Sequence, residues 1–185
     1  MALPLAHSAV ALGLTRSRDP LTWAFLGFLS ILPDFDFILV WGLGLPIGIY
    51  HRTFSHSLLF CMAMALLWMV IRPARLKAIS PLLVAMVLLS HSFLDMLCTA
   101  DVLDHGVVFF WPLSNYHMGW PTLVPLYLFF GSSPFSFSGA IRFTLLEMFL
   151  AGPLWLSTRS LRIGLQWGTQ VLRGPKVTPS SQEQE

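Results

Sequence analysis

The stretch His51-Arg52-Thr53-Phe54-Ser55-His56-Ser57 sets two imidazoles, a guanidinium and three hydroxyls immediately before the apolar run 58–71. Pro33-Asp34-Phe35-Asp36 upstream and His91-Ser92-Phe93-Leu94-Asp95 downstream are similar polar islands in almost wholly apolar sequence. Imidazole nitrogens and carboxylate oxygens are an ordinary donor set for zinc and related divalent ions. A charged side chain at the centre of a membrane helix costs on the order of 3 kcal/mol. Several such groups need one another or a cation, so the three islands and His7 are expected to converge on one metal site.

The spacings say how. His91 and Asp95, four apart, share one helix face about a turn apart and can grip one ion, although an isolated pair of this kind is more often a plain helix contact. His51 and His56, five apart, diverge by about 140° on a regular helix. They meet only if His51 sits in the preceding turn; otherwise they are two interfacial histidines. Asp34 and Asp36 can present both carboxylates from a non-helical turn beside Pro33, and the apolar flanks argue against a solvated loop. Alone, His7 reads as a polar residue on a surface helix.

The elements that must carry these groups follow from the breakers. Residues 2–14 form a helix too short to span. Pro20 suits the first turn of the next helix, which meets Pro33 and kinks there, leaving Asp34 and Asp36 at the kink. The glycines from Gly42 to Gly48 interrupt helical structure, and Thr53 or Ser55 is expected to cap the helix over 58–71. Ser80-Pro81 opens another helix, with His91 and Asp95 in its last two turns. Residues 99–120, with Asp101, Asp104 and His105, read as an interfacial loop. A last helix, carrying Glu147, runs from about 139 to 157. Cys61 and Cys98 lack metal-ligand spacing and read as structural.

Of the 185 residues 55% are hydrophobic and 11% charged, against about 25% charged in soluble domains; mean hydropathy is +0.69. The expected fold is all-α: a polytopic helical membrane protein with about four spanning helices, at 21–41, 57–71, 80–98 and 139–157, plus short re-entrant or interfacial helices. One membrane-embedded domain covers 1–173, and 174–185 form a disordered cytoplasmic tail. Placing Arg16, Arg18, the link from Arg72 to Lys77 and the basic stretch from Arg159 to Lys176 in the cytoplasm makes the spans alternate and puts all three islands toward the outer side. The net charge of +2 is not gathered on one face, so membrane lipids, not nucleic acid, are the expected partners.

His7, Pro33-Asp34-Phe35-Asp36, the stretch His51 to Ser57 and His91 to Asp95, followed by Thr99, Gly106 and Trp111-Pro112-Leu113-Ser114, resemble the motif series of the bacterial LexA-regulated, membrane-bound metal-dependent hydrolases. The pattern HRGxTHS of that family has Thr53 here for glycine and Ser55 for threonine. The order is also similar to that of the zinc-dependent phospholipase C group. The resemblance implies divalent metal, zinc above all, held by His7, Asp34, His56, His91 and Asp95 in an inner-membrane protein. Asp36 and His51 would then be ligands or lie beside them. The expected activity is hydrolysis of a phosphate ester or phospholipid, with Asp36 or His51 moving a proton and Arg52 holding an anionic substrate group. The alternative is a non-enzymatic ion or metal transport protein built on the same residues.

Overall fold

In the computed structural model, residues 4–97, 106–120 and 137–173 are described. Their helices are α1 (Pro4–Leu14), α2 (Pro20–Ile31), α3 (Asp36–Gly42), α4 (Ile47–Tyr50), α5 (Leu58–Ile71), α6 (Pro81–Leu97) and α7 (Phe137–Arg173), with 3-10 turns at Leu32–Phe35, Phe54–His56 and Ala74–Leu76. Among the described residues the only β pairing is an isolated antiparallel bridge between Val107 and Met118. The all-helical expectation holds.

Local chemistry sets the boundaries. Asp19 caps α2, accepting from the Thr22 amide at 2.8 Å, and Pro20 fills the first helical position, where a missing N–H costs nothing. Pro33 interrupts the next helix as expected: the chain tightens into the 3-10 turn and resumes as α3 at Asp36. The cap of α5 differs from expectation. It is Ser57, whose Oγ accepts from the Phe60 amide, and neither Thr53 nor Ser55. Ser55 is drawn inward by Asp36 instead. The last helix also runs further than 139–157, continuing past Pro153 to Arg173. It lies along α1, and the Arg162 guanidinium donates to the Thr15 carbonyl.

The distribution of side chains inverts that of a water-soluble protein. His7, Asp36, Arg52, His56, His91 and Asp95 are buried, whereas Trp41, Leu66, Met69, Val70 and Leu82 stand exposed. An apolar exterior of this extent suits lipid better than water. Pro20–Gly42 is the one stretch among the described residues long and apolar enough to cross a membrane; Pro4–Leu14, Leu58–Ile71 and Pro81–Leu97 are shorter apolar helices. Below the polar islands, Leu26, Leu29, Trp68, Ile79, Val84 and Leu88 build a common apolar core. The Trp68 indole donates to the Ile79 carbonyl at 2.9 Å and stacks on Phe25. Buried Cys61 joins this core and is structural, as expected. Cys98, Thr99, Asp101, Asp104, His105 and the tail 174–185 lie outside the described residues.

Close approach of α1 to α7 depends on Gly13. A Cβ there would collide with the Thr158 side chain and lie 3.0 Å from the Trp155 carbonyl oxygen. Overpacking of this kind costs about 1–3 kcal/mol. Gly13→Ala is therefore expected to lower the thermal midpoint of the purified protein, and Gly13→Ala/Thr158→Ala to recover most of the loss. Equal destabilisation in the single and double variants would rule out this contact as the cause.

Candidate metal centre

Four elements deliver the ionisable groups to one point. The 3-10 turn after Pro33 carries Asp34, the turn before α5 carries His56, and one face of α6 carries His91 and Asp95. α1 brings His7 alongside. One ligand atom from each of Asp34, His56, His91 and Asp95 lies within 4.8 Å of every other. His56 Nε2 is 3.2 Å from His91 Nε2, 3.5 Å from Asp34 Oδ1 and 3.3 Å from Asp95 Oδ2. His91 Nε2 is 3.5 Å from Asp34 Oδ1 and 3.8 Å from Asp95 Oδ2. With metal–ligand bonds near 2.0–2.1 Å, a tetrahedron around zinc has edges of about 3.4 Å. Five of the six separations are 3.2–3.8 Å and the sixth, between Asp34 and Asp95, is within 4.8 Å, so the group could hold a metal ion.

Hydrogen bonds at the far side of each ring fix which nitrogen looks inward. His91 Nδ1 donates to the Ser30 carbonyl at 2.6 Å, which leaves its Nε2 lone pair for the centre. Ser55 Oγ donates to Asp36 Oδ2 at 2.5 Å and lies 2.9 Å from His56 Nδ1, so it can accept that ring's proton and turn the His56 Nε2 lone pair inward as well. Two lone pairs 3.2 Å apart repel unless a proton or a cation lies between them. The two oxygens of Asp34 also lack a hydrogen-bond donor. Burial disfavours a charged His56 ring, but the carboxylates of Asp34 and Asp95, 3.5 and 3.3 Å away, and the charge of Asp36 outweigh this and carry its pKa up to about 9. In the absence of a metal, His56 holds a proton at neutral pH.

The remaining sequence candidates surround these four. His7 stacks on His91 with ring centroids 4.0 Å apart, and its Nε2 lies 3.4 Å from Asp95 Oδ1, outside the four-donor group. Burial, then the neighbouring His91, lowers its pKa and keeps the ring neutral. Asp36 accepts from His51 Nδ1 at 2.6 Å, from Ser55 and from the Arg52 amide at 3.1 Å. His51 sits in the turn before the 3-10 segment, the arrangement that lets it face His56. Arg52 is 2% exposed and holds Asp95 Oδ2 through Nε at 3.1 Å. Asp95 is thus the carboxylate partner that a buried arginine requires.

The Arg52 backbone is left-handed, with φ 64°, whereas the helix cap before it and Thr53 after it keep negative φ. At Thr53, where the family pattern has glycine, Oγ1 donates to the Tyr50 carbonyl. The strained turn, costing roughly 1–2 kcal/mol, is held by the 106–120 segment: Val108 donates to the Arg52 carbonyl and Leu58 to that of Phe109. Gly106 is needed there, because a Cβ would lie 2.5 Å from the Met118 carbonyl oxygen. Ser30 and Ser55 are the participants that sequence reasoning did not place; only the position of Ser55 between two histidines hinted at it. The side chain of Glu147 lies outside the described residues.

Residues 1–164 match the family model of the YdjM inner membrane protein, so the chain belongs to that family. Neither a curated protein nor a solved structure matches it.

Metal binding must displace the His56 proton, so affinity rises with pH until the ring's own pKa is passed. Titration of the metal-stripped protein with zinc is expected to give roughly tenfold tighter binding per pH unit between 7 and 9, with proton release. A flat profile would remove His56 from the ligand set. By elemental analysis, His56→Ala, His91→Ala and Asp95→Ala are expected to lose bound metal, and His51→Ala to keep it.

Proposed function

We propose that this inner-membrane protein is a metal-dependent hydrolase acting on a phosphate ester, with a membrane phospholipid as the favoured class of substrate. The observation that carries the reading is the convergence of Asp34, His56, His91 and Asp95 at tetrahedral spacing. Zinc is the ion the nitrogen and oxygen donors suit best. In the proposed arrangement the protein is multi-pass. Pro20–Gly42 forms one span, the segments 57–71, 80–98 and 139–157 form the others, and the centre lies toward the outer side.

Asp34, His56, His91 and Asp95 would hold a divalent ion, which would supply polarisation of a phosphoryl oxygen and a bound water with its pKa lowered to about 7. The chain's own groups supply the rest. Asp34 is the donor most open to solvent, with its side chain 14% exposed against 0–1% for the other three, so water and substrate approach on its side. The line from His56 through Ser55 and Asp36 to His51 connects the centre with a half-buried imidazole. With an ion on its Nε2 the His56 ring would not itself relay a proton, so Asp36 and His51 would exchange protons with the attacking water and the leaving oxygen by way of solvent on the half-buried His51 side. Arg52 neutralises Asp95 and holds it in place.

The test is phosphate-ester turnover by purified, metal-loaded protein presented with phospholipid in mixed micelles. Asp36→Asn and His51→Ala are expected to keep metal but lose about 10²-fold or more in kcat. Full metal content with no turnover of any ester, together with ion flux in proteoliposomes, would select the transport reading instead.

A further inference from the structure

A second feature lies at the opposite end of α1 and α6. The first turns of α6, the chain leaving α1 and the middle of α7 enclose a cavity of about 650 Å³, within the range of ligand sites. Leu83, Met86, Leu161 and Leu165 give it apolar walls, and Arg16 and Arg162 share the lining with no carboxylate. Its nearest lining residue on α6, Met86, lies 5 residues before His91 and 9 before Asp95, about 7–14 Å of helix, and its lining includes none of the metal-centre residues. It is therefore separate from the metal centre.

The arginines are not accounted for by protein partners. Arg162 donates through one Nη to the Thr15 carbonyl, but its Nε is buried without a hydrogen-bond partner among the described residues. Burial, then the neighbouring Arg159 and lastly Arg16, lowers the pKa of Arg162. Arg159 lies over the Trp155 ring, 4.9 Å from its centroid. Cationic loops facing the cytoplasm set topology, yet topology alone does not require guanidiniums to line a cavity and repel one another. An anion bound between Arg16 and Arg162 removes that repulsion and satisfies the buried donor. The apolar walls, and the exposed Leu82 and Leu161 beside them, suit an acyl chain entering from the bilayer.

We propose that this cavity binds an anionic phospholipid, its phosphate between Arg16 and Arg162 and an acyl chain along Leu83, Met86 and Leu165. The site holds a lipid and does not hydrolyse it.

The test uses the full chain purified in mild detergent, with bound lipid read by native mass spectrometry after addition of phosphatidylglycerol or phosphatidylcholine. Phosphatidylglycerol is expected to survive detergent washing and phosphatidylcholine to be lost. Arg16→Gln and Arg16→Gln/Arg162→Gln are expected to reduce retention by roughly tenfold or more, the scale of a lost guanidinium–phosphate contact. Arg18→Gln, outside the lining, is expected to leave retention unchanged, and Leu83→Trp to reduce it by filling the space. Equal retention of both lipids, unchanged retention in Arg16→Gln, or an equal loss in Arg18→Gln would overturn the proposal. So would displacement of the lipid by glycerol 3-phosphate at equal concentration, which would indicate a site for a free phosphate. Arg16 is an exposed side chain, so its single variant decides the matter even where loss of Arg162 disturbs folding.

Discussion

Charge neutralisation at the meeting point of the polar islands constrains the rest of this molecule. Asp34, Asp36 and Asp95 lie close together, with Arg52 as the guanidinium on Asp95. When the imidazoles are neutral, three carboxylates against one guanidinium leave two negative charges, the amount one divalent cation carries. Protons serve as the substitute when metal is absent, which is why the ring at the centre, His56, is pushed toward its charged form. Burying such a set without a counter-ion would cost several kcal/mol for each uncompensated charge. Ion binding and folding are thereby linked.

That constraint explains the irregular backbone around the centre. A continuous helix through residues 20–42 could not turn both Asp34 and Asp36 inward, because residues two apart diverge by about 200°. Pro33 converts one turn to 3-10 geometry, so Asp34 reaches the histidines while Asp36 faces His51 and Ser55. At Arg52 the chain adopts a left-handed conformation, and its amide meets Asp36 while its guanidinium meets Asp95. One residue thus ties two carboxylates on different elements. The strap from Val107 to Met118 then secures this turn through backbone hydrogen bonds, which tolerate burial better than free ends would.

Legibility from the sequence followed the range of the interaction. Periodic and local signals read well: the kink at Pro33, the i, i+4 pairing of His91 with Asp95, and the need for His51 to precede the helical turn. What depended on distant partners did not. Ser55 and Ser57 are chemically alike as caps, and only the presence of Asp36 beside Ser55 leaves the capping role to Ser57. That a buried Arg52 needs a carboxylate was legible, but which one was not, because its partner, Asp95, is 43 positions further along the chain. The extension of α7 beyond 157 was equally hidden, since a proline usually ends a helix, whereas packing on α1 and the Arg162 bond to Thr15 favour its continuation here. The clustered histidines and aspartates were legible because lipid makes unpaired ionisable groups conspicuous; the residues that orient them are ordinary serines, or act through backbone carbonyls as Ser30 does.

The asymmetry of the centre bears on what an ion would do there. A purely structural ion needs donors and the groups that orient them, and the Ser30 carbonyl on His91 and Ser55 on His56 meet that need. They leave the pairing of Asp36 with His51 unexplained, since His51 touches none of the four donors at bonding distance and its side chain is 20% exposed. An imidazole in that position extends a hydrogen-bonded line from the buried donors toward solvent. Such a line has a use when protons must enter or leave while the ion stays, as in hydrolysis. Under the transport reading the ion itself must leave, and the four nearly enclosed donors would have to separate, with Arg52 releasing Asp95. The fixed turn, the strap over it and the i, i+4 pair on one rigid helix would all oppose that separation, so an ion held there would be better suited to stay than to pass through.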